Sequence, residues 1–206
     1  NGWDTGVSSF SIQDWKKFIN MIIKKFQITK TDNVFEIGCG SGAFLLPFYK
    51  KNINCFGTDY STKFIKNCKK LMKKGVFIKS EANNLKKFKK YKFDYIFIHS
   101  VFQYFDNTKY ADQVMSQLRE IAQKGTKIFI LDVPNLKKKK VWKKDMIKAI
   151  GKIEFDTKYS NFKHLFYPIS FFKKFCKKNN FSLSNILKFK LNKKSSKYRF
   201  NLMIKI

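Results

Sequence analysis

The chain has 206 residues, 44% hydrophobic and 28% charged, with 44 basic against 14 acidic side chains and a formal net charge of +30. That length encloses one core between two helical layers, and no apolar run is long enough to span a bilayer or to read as a secretory leader. The four cysteines, Cys39, Cys55, Cys68 and Cys176, stand singly. This excludes a disulfide scaffold and a paired-cysteine zinc site, and it fits a reducing cytoplasm without a structural metal.

The charge invites a nucleic-acid or anionic-membrane partner, but its make-up argues for a solvated surface. Only Arg119 and Arg199 are arginines, leaving 42 lysines, whereas bidentate recognition of phosphate favours guanidinium. Lysine with abundant Asn, Ile and Phe is the signature of A+T-rich codons. The run Lys137 to Lys140 is read the same way, as a solvated helix start.

In chain order, Ser11 to Phe26 places Trp15, Phe18, Ile19, Ile22, Ile23 and Phe26 at spacings of three and four, which predicts an amphipathic helix covering one edge of a sheet. Buried strands follow at Asn33–Ile37, Ile53–Thr58, Gly75–Lys79, Phe93–His99 and Lys127–Val133. Helical patterns lie between them at Gly42–Lys51, Ser61–Lys73, Asn83–Phe88 and Asn107–Gln123, and this alternation predicts right-handed βαβ units and a parallel sheet. Asn135 to Phe166 is too long for a simple connection; it predicts a short helix at Val141–Ile150 and the placement of a lid. After a helix starting near Pro168, Phe181–Lys190 and Lys197–Ile206 joined by Asn-Lys-Lys-Ser-Ser form a β-hairpin pattern.

The expected fold is therefore α/β: a single Rossmann-like domain with a seven-stranded, mostly parallel sheet, helices on both faces and a C-terminal antiparallel hairpin. Its parts are an N-terminal cap helix (1–30), a ligand-binding core (31–133), a lid (134–167) and the last helix with the hairpin (168–206).

The central motif is Val34-Phe35-Glu36-Ile37-Gly38-Cys39-Gly40-Ser41-Gly42-Ala43-Phe44, a strand entering a glycine loop that opens a helix. Glycines at 38, 40 and 42 let backbone approach a ligand closely, and the helix start presents free N–H groups. The pattern also matches a dinucleotide fingerprint if Ala43 stands for the third glycine. Glu36 argues against that, because a carboxylate is unwelcome beside a pyrophosphate but suits a ligand with an amino group. Asp59, closing the second strand in Gly57-Thr58-Asp59-Tyr60-Ser61, can accept both hydroxyls of a ribose. Its structural alternative is a helix cap, a role Ser61 can fill. Glu81-Ala82 after the third strand offers a carboxylate and an N–H to an adenine edge.

Together, Glu-Ile-Gly-Cys-Gly-Ser-Gly, Gly-Thr-Asp-Tyr-Ser, Glu-Ala-Asn-Asn-Leu and Phe-Asp-Tyr-Ile-Phe-Ile-His-Ser-Val-Phe-Gln-Tyr-Phe resemble the successive motifs of class I S-adenosylmethionine-dependent methyltransferases, over about Asp32 to Val133. The resemblance implies the strand order 3-2-1-4-5-7-6 and S-adenosyl-L-methionine as cofactor. It implies that Glu36, Gly38, Cys39, Gly40 and Gly42 hold the methionine portion and Asp59 the ribose, with Tyr60 flanking the adenine and Glu81 and Ala82 at its edge. Such sequences more often carry Asp at the Glu81 position. His99 and Ser100, in the loop after the fourth strand, would border the cofactor, and Gln103 and Tyr104 the acceptor.

Methyl transfer from a sulfonium needs positioning and a water-poor pocket, and a hydroxyl or ammonium acceptor also needs a base. His99 and His164 are the two histidines and hence the candidate catalytic residues, His164 also as an acceptor ligand; each could instead be structural. Trp3 and Asp4 could fold over the cofactor or simply be disordered. The expected activity is methyl transfer to oxygen or nitrogen of a small molecule such as a sugar, a lipid-linked compound or a secondary metabolite. RNA methylation is the alternative, weakened because His99-Ser100-Val101-Phe102 lacks the Asn/Asp-Pro-Pro-aromatic signature of many nucleobase amino-methyltransferases. From other classes stand a non-catalytic cofactor-binding module and a nicotinamide oxidoreductase, the latter opposed by Glu36 and the hairpin.

Overall fold

The structure, a computed structural model, describes residues 12–160, 164–186 and 194–206. Its sheet takes the order β3-β2-β1-β4-β5-β7-β6, from β1 (Asn33–Ile37), β2 (Asn54–Asp59), β3 (Val76–Lys79), β4 (Tyr95–His99), β5 (Lys127–Pro134), β6 (Ser182–Ile186) and β7 (Arg199–Lys205). The first five pair in parallel, and β7 runs antiparallel between β5 and β6. This is the expected architecture.

Period-two alternation sends consecutive residues of each strand to opposite faces, and the core divides accordingly. Phe35, Ile37, Ile96, Ile98, Ile128 and Ile130 pack under α4 (Thr108–Ile121) and α7 (Ile169–Lys178). Val34, Cys55, Phe97, Phe129 and Leu131 pack under α1 (Ile12–Phe26) and α3 (Thr62–Leu71). The helix α1 thus covers a face of the sheet, not its edge. Phe26 meets Phe129 of β5 at 4.6 Å, and Phe18, Ile19 and Ile22 are buried in one cluster with Val34 of β1, Phe97 of β4 and Phe129.

Two helices are shorter than their patterns suggest. Only Leu46–Tyr49 (α2) is α-helical in the span 42–51. Pro47 has no N–H to donate to the Ala43 carbonyl, and Gly42 has a φ of +86°, so the first turn cannot be regular. Residues 83–88 supply only a 3-10 turn at Lys86–Phe88. Beyond β5 the chain makes α5 (Lys139–Ile150) and an unexpected second helix, α6 (Lys152–Ser160). Gly151, at a φ of +82°, ends α5 and turns the chain into α6. This excursion is pinned at its base, where Leu136 N donates to Tyr167 O at 3.0 Å and Tyr167 N to Pro134 O at 2.9 Å. The hairpin ends in a 3-10 turn at Lys194–Tyr198 before β7. The far part of the strand expected at 181–190, the first residues of the connecting loop, and Trp3 and Asp4 lie outside the described residues. Among the described residues no helix is long and apolar enough to cross a membrane.

Candidate active site

The carboxyl ends of β1, β2 and β4 bring the candidate residues to one edge of the sheet, where ligands of open α/β sheets bind. The glycine loop is tied to β2: Gly38 N and Cys39 N both donate to Thr58 O, at 2.8 and 2.9 Å. Its glycines serve different ends. A Cβ on Gly38 would meet Val101 Cγ2 at 2.5 Å, and one on Gly42 would meet Met72 Cε at 2.6 Å. At Gly40, with a φ of +50°, nothing lies within 4 Å of that position, so this part of the loop opens away from protein.

Glu36 is 2% exposed, and its Oε2 has no hydrogen-bond partner among the described residues. Burial, followed by the charges of Cys68 and Asp59, raises its carboxyl well above the ordinary carboxylate range. An unpartnered buried acceptor of this kind is expensive in an isolated fold. It fits a ligand that supplies a cationic donor, as the ammonium of S-adenosylmethionine does, and it would repel a pyrophosphate.

Asp59 receives Gly40 N on Oδ2 at 3.0 Å and Ser61 N on Oδ1 at 2.9 Å. It therefore orients the loop, and each oxygen keeps a lone pair for a further donor. Ser61 is the N-cap of α3, accepting from Phe64 N at 3.4 Å. Tyr60 is 67% exposed beside it. At the end of β3, Glu81 accepts the Tyr110 hydroxyl at 3.0 Å, and burial and then Glu81 push the Tyr110 pKa up to about 12. Ala82 packs on the core. The Cys39 thiol lies beside that of Cys68, whose Sγ reaches Gly40 O at 3.3 Å. The hydrogen bond that Cys39 donates to Cys68, then burial and the charge of Glu36, hold Cys39 as the neutral thiol.

The helix below the loop is a single short turn, since α2 has four residues and begins after Leu45. Trp15 of α1 donates its indole N–H to Ala43 O at 2.8 Å, the carbonyl that Pro47 leaves without a helical donor. The Trp15 ring lies 5.3 Å from that of His99. Phe44 stacks on His99 at 5.4 Å and Phe18 is tilted against it at 6.2 Å. His99 thus stands in an aromatic enclosure at the end of β4.

Past His99 the chain turns sharply: Ser100 has a φ of +57°, and its hydroxyl bonds Asp132 Oδ2. Gln103 is 1% exposed; its Nε2 donates to Ser100 O at 3.0 Å, while Oε1 has no partner among the described residues. Gln103 O accepts Leu165 N at 3.1 Å, and the Tyr104 and His164 rings meet at 5.3 Å. The excursion after β5 therefore folds onto the β4 loop. His164 sits among Tyr104, Tyr159 and Trp142, with ring separations of 5.3, 5.5 and 6.3 Å. His99 and His164 consequently face different surroundings, one on the α1 side and one on the excursion.

Sequence reasoning missed Asp132. It occupies a bulge in β5 with a φ of +64°. Its carboxylate pairs with Arg199 Nη1 at 3.2 Å, both side chains being largely buried. Asn201 Oδ1 accepts its N–H at 2.8 Å. A lone polar residue near the carboxyl end of an apolar strand was the available signal. Trp15 was legible only as one member of a helical stripe.

Residues 35–130 match a family model described as a methyltransferase domain. No curated protein matches the chain. Among solved structures, the PH0226 protein of Pyrococcus horikoshii superposes with a TM-score of 0.70 at 18% identity, covering 99% of this chain and 96% of that one. An S-adenosylmethionine-dependent methyltransferase of Clostridium acetobutylicum gives 0.68 at 12% identity, with coverages of 96% and 93%. The magnesium protoporphyrin IX methyltransferase of Synechocystis, solved with bound S-adenosylhomocysteine, gives 0.66 at 15% identity, with 94% and 82% covered. The fold is the one these proteins share.

Proposed function

Because this chain carries a class I S-adenosylmethionine-dependent methyltransferase domain, we propose that it transfers a methyl group to an oxygen or nitrogen of a small-molecule acceptor, a sugar, a lipid-linked compound or a secondary metabolite, in the cytoplasm. When bound, S-adenosylmethionine supplies an electrophilic methyl group on its sulfonium. Glu36 receives the methionine ammonium and Gly38, Cys39, Gly40 and Gly42 form the floor beneath it. Asp59 takes the ribose hydroxyls, Tyr60 flanks the adenine, and Glu81 and Ala82 meet its edge. His99 and Ser100 form the wall between cofactor and acceptor. Orienting the two reactants in this way is worth roughly 7 to 11 kcal/mol of barrier.

The acceptor side is assigned to Gln103, Tyr104 and His164. The observation that carries the reading is the contact of Tyr104 with His164 at 5.3 Å, which supports reading the excursion as a lid on the β4 loop. His164 is the proposed base, taking the proton that a hydroxyl or ammonium acceptor releases. His99, enclosed by Trp15, Phe18 and Phe44, excludes water beside the cofactor and is the second candidate for the base. The buried, unpaired state of all four cysteines supports a reducing compartment.

Two measurements test this. Calorimetry should give micromolar affinity for S-adenosylhomocysteine and far weaker binding of NAD; equal affinities would overturn the cofactor site. In a screen of hydroxyl and amine acceptors that follows S-adenosylhomocysteine release, His164→Ala should lower kcat about 100-fold or more and leave cofactor affinity unchanged. Turnover on mixed RNA with none on small acceptors would replace the small-molecule reading by RNA methylation.

A further inference from the structure

Leu136 to Ser160 contains nine lysines against three acidic residues. One of the acids, Asp145, is held by Lys197 at 2.7 Å and by the Tyr198 hydroxyl. Lysines occur all over this protein, so their number alone decides nothing. What distinguishes this segment is apolar exposure. Among the described residues the exposed large hydrophobic ones are Tyr60, Leu71, Tyr104, Leu136, Val141 and Ile153; three lie here, whereas Tyr60 and Tyr104 belong to the candidate site. Ile153 is 85% exposed, and it lines an open recess together with Ile150, Lys152, Glu154, Thr157 and Lys158.

The helices order these groups by side. At 100° per residue, Val141, Lys144 and Lys148 of α5 fall within about 60° of one another, and Trp142, Met146 and Ile150 form a stripe roughly opposite. Met146 is buried and Trp142 packs on Phe155 of α6 at 5.8 Å, so the second stripe is the packed one. On α6, Phe155 is buried inward, and Ile153, about 200° before it, points away from the packing. The outer surface of this helical pair therefore carries Val141 among Lys144 and Lys148, and Ile153 beside Lys152, with the exposed acids Glu154 and Asp156 also next to Ile153.

We propose that the turn at Leu136–Lys138 together with α5 and α6 docks this protein on an anionic lipid surface, with Val141 and Ile153 entering the headgroup boundary and Lys137, Lys138, Lys140, Lys144, Lys148 and Lys152 meeting lipid phosphates. Aliphatic side chains among lysines suit an interface with both an acyl boundary and negative headgroups. A nucleic-acid backbone rewards the lysines but leaves Val141 and Ile153 in water. The inference is independent of the acceptor assigned above.

Co-sedimentation of the full chain with vesicles tests it. At 0.15 M salt, where a diffuse charge is screened beyond about 8 Å, binding is expected to phosphatidylglycerol–phosphatidylcholine vesicles and not to phosphatidylcholine alone. Ile153→Asp with Val141→Asp, both at exposed positions, should weaken it at least tenfold while the melting temperature stays unchanged. Replacing Lys137, Lys138, Lys140 and Lys144 by Gln should do the same. Binding that survives the aspartates, absence of binding at this salt, or displacement of the vesicles by an equal phosphate concentration of mixed RNA would each overturn the proposal.

Discussion

Trp15 donates its indole N–H to the carbonyl of Ala43 at 2.8 Å, so an N-terminal helix supplies the donor that Pro47 removes from the start of α2. The bond couples α1 to the glycine loop, and the same ring packs against Phe44 and His99. Trp15→Phe keeps most of the packing and loses the bond, which should lower stability by about 0.5 to 1.5 kcal/mol. Trp15→Ala should also weaken S-adenosylhomocysteine binding by opening the enclosure around His99. Thermal melts with calorimetry check both; unchanged affinity in Trp15→Ala would confine the residue to the core.

Asp59 has two tasks on this geometry, because its oxygens already hold Gly40 N and Ser61 N. Asp59→Ala should weaken cofactor binding at least tenfold. It should also destabilise the apo protein by about 2 to 3 kcal/mol, given bonds to a charged group, which for a chain of this size is roughly 4 to 12 °C in Tm. A loss of affinity without any loss of Tm would show that the loop holds its shape unaided.

Glu36 predicts a pH effect of defined sign. Its carboxyl is raised in the folded apo protein, by burial first, so the fold binds this proton more tightly than the unfolded chain does. Apo stability therefore falls as pH rises from the ordinary carboxylate value through the raised one. Glu36→Gln removes that loss and should raise the apo Tm at neutral and alkaline pH while nearly abolishing cofactor binding. In the wild type, a cationic donor favours the ionised carboxylate, so binding should release protons and strengthen as pH climbs toward the raised value. Titrations in two buffers of different ionisation enthalpy measure that release; an uptake of protons would contradict the assignment.

The Asp132–Arg199 pair sits where β5 bulges, with Arg199 only 7% exposed. Asp132→Ala removes the carboxylate opposite a buried guanidinium, which keeps its bond to the residue 132 carbonyl at 3.0 Å, and should be destabilising by about 3 kcal/mol. A double variant with Arg199→Met removes the stranded charge and should recover much of that loss. Asp132→Asn should be milder than Asp132→Ala, since Asn tolerates the φ of +64° and keeps a partner for the Ser100 hydroxyl. Urea unfolding of the four proteins checks the order, and a double variant no better than Asp132→Ala would mean that the backbone conformation, not the charge, dominates.

The strand pattern, the glycine loop and the hairpin were legible in the sequence because they follow from local rules: period-two burial, turn residues, and glycine where backbone must come close. Phe35 and Ile37 declare one face and Val34 the other by their alternation along a parallel strand. The same rules placed Glu36 and Asp59 at strand ends. Local rules failed where partners are distant in the chain. The helix expected after Gly42 shrank to Leu46–Tyr49 because a carbonyl freed by Pro47 found its donor 28 residues earlier, in Trp15. The helix α1 went to the face of the sheet because Phe129, about a hundred residues away, presented the apolar area it needed. Asp132 drew no notice, since its partners Ser100, Arg199 and Asn201 converge only when β4, β5 and β7 lie side by side. The sequence put His99 after the fourth strand and His164 in the segment before the last helix, and tertiary structure set their surroundings by packing one under α1 and the other beside Trp142 and Tyr159. Periodicity records which face a residue buries; which groups meet across that face is set by the packing of whole elements, and that information is not local.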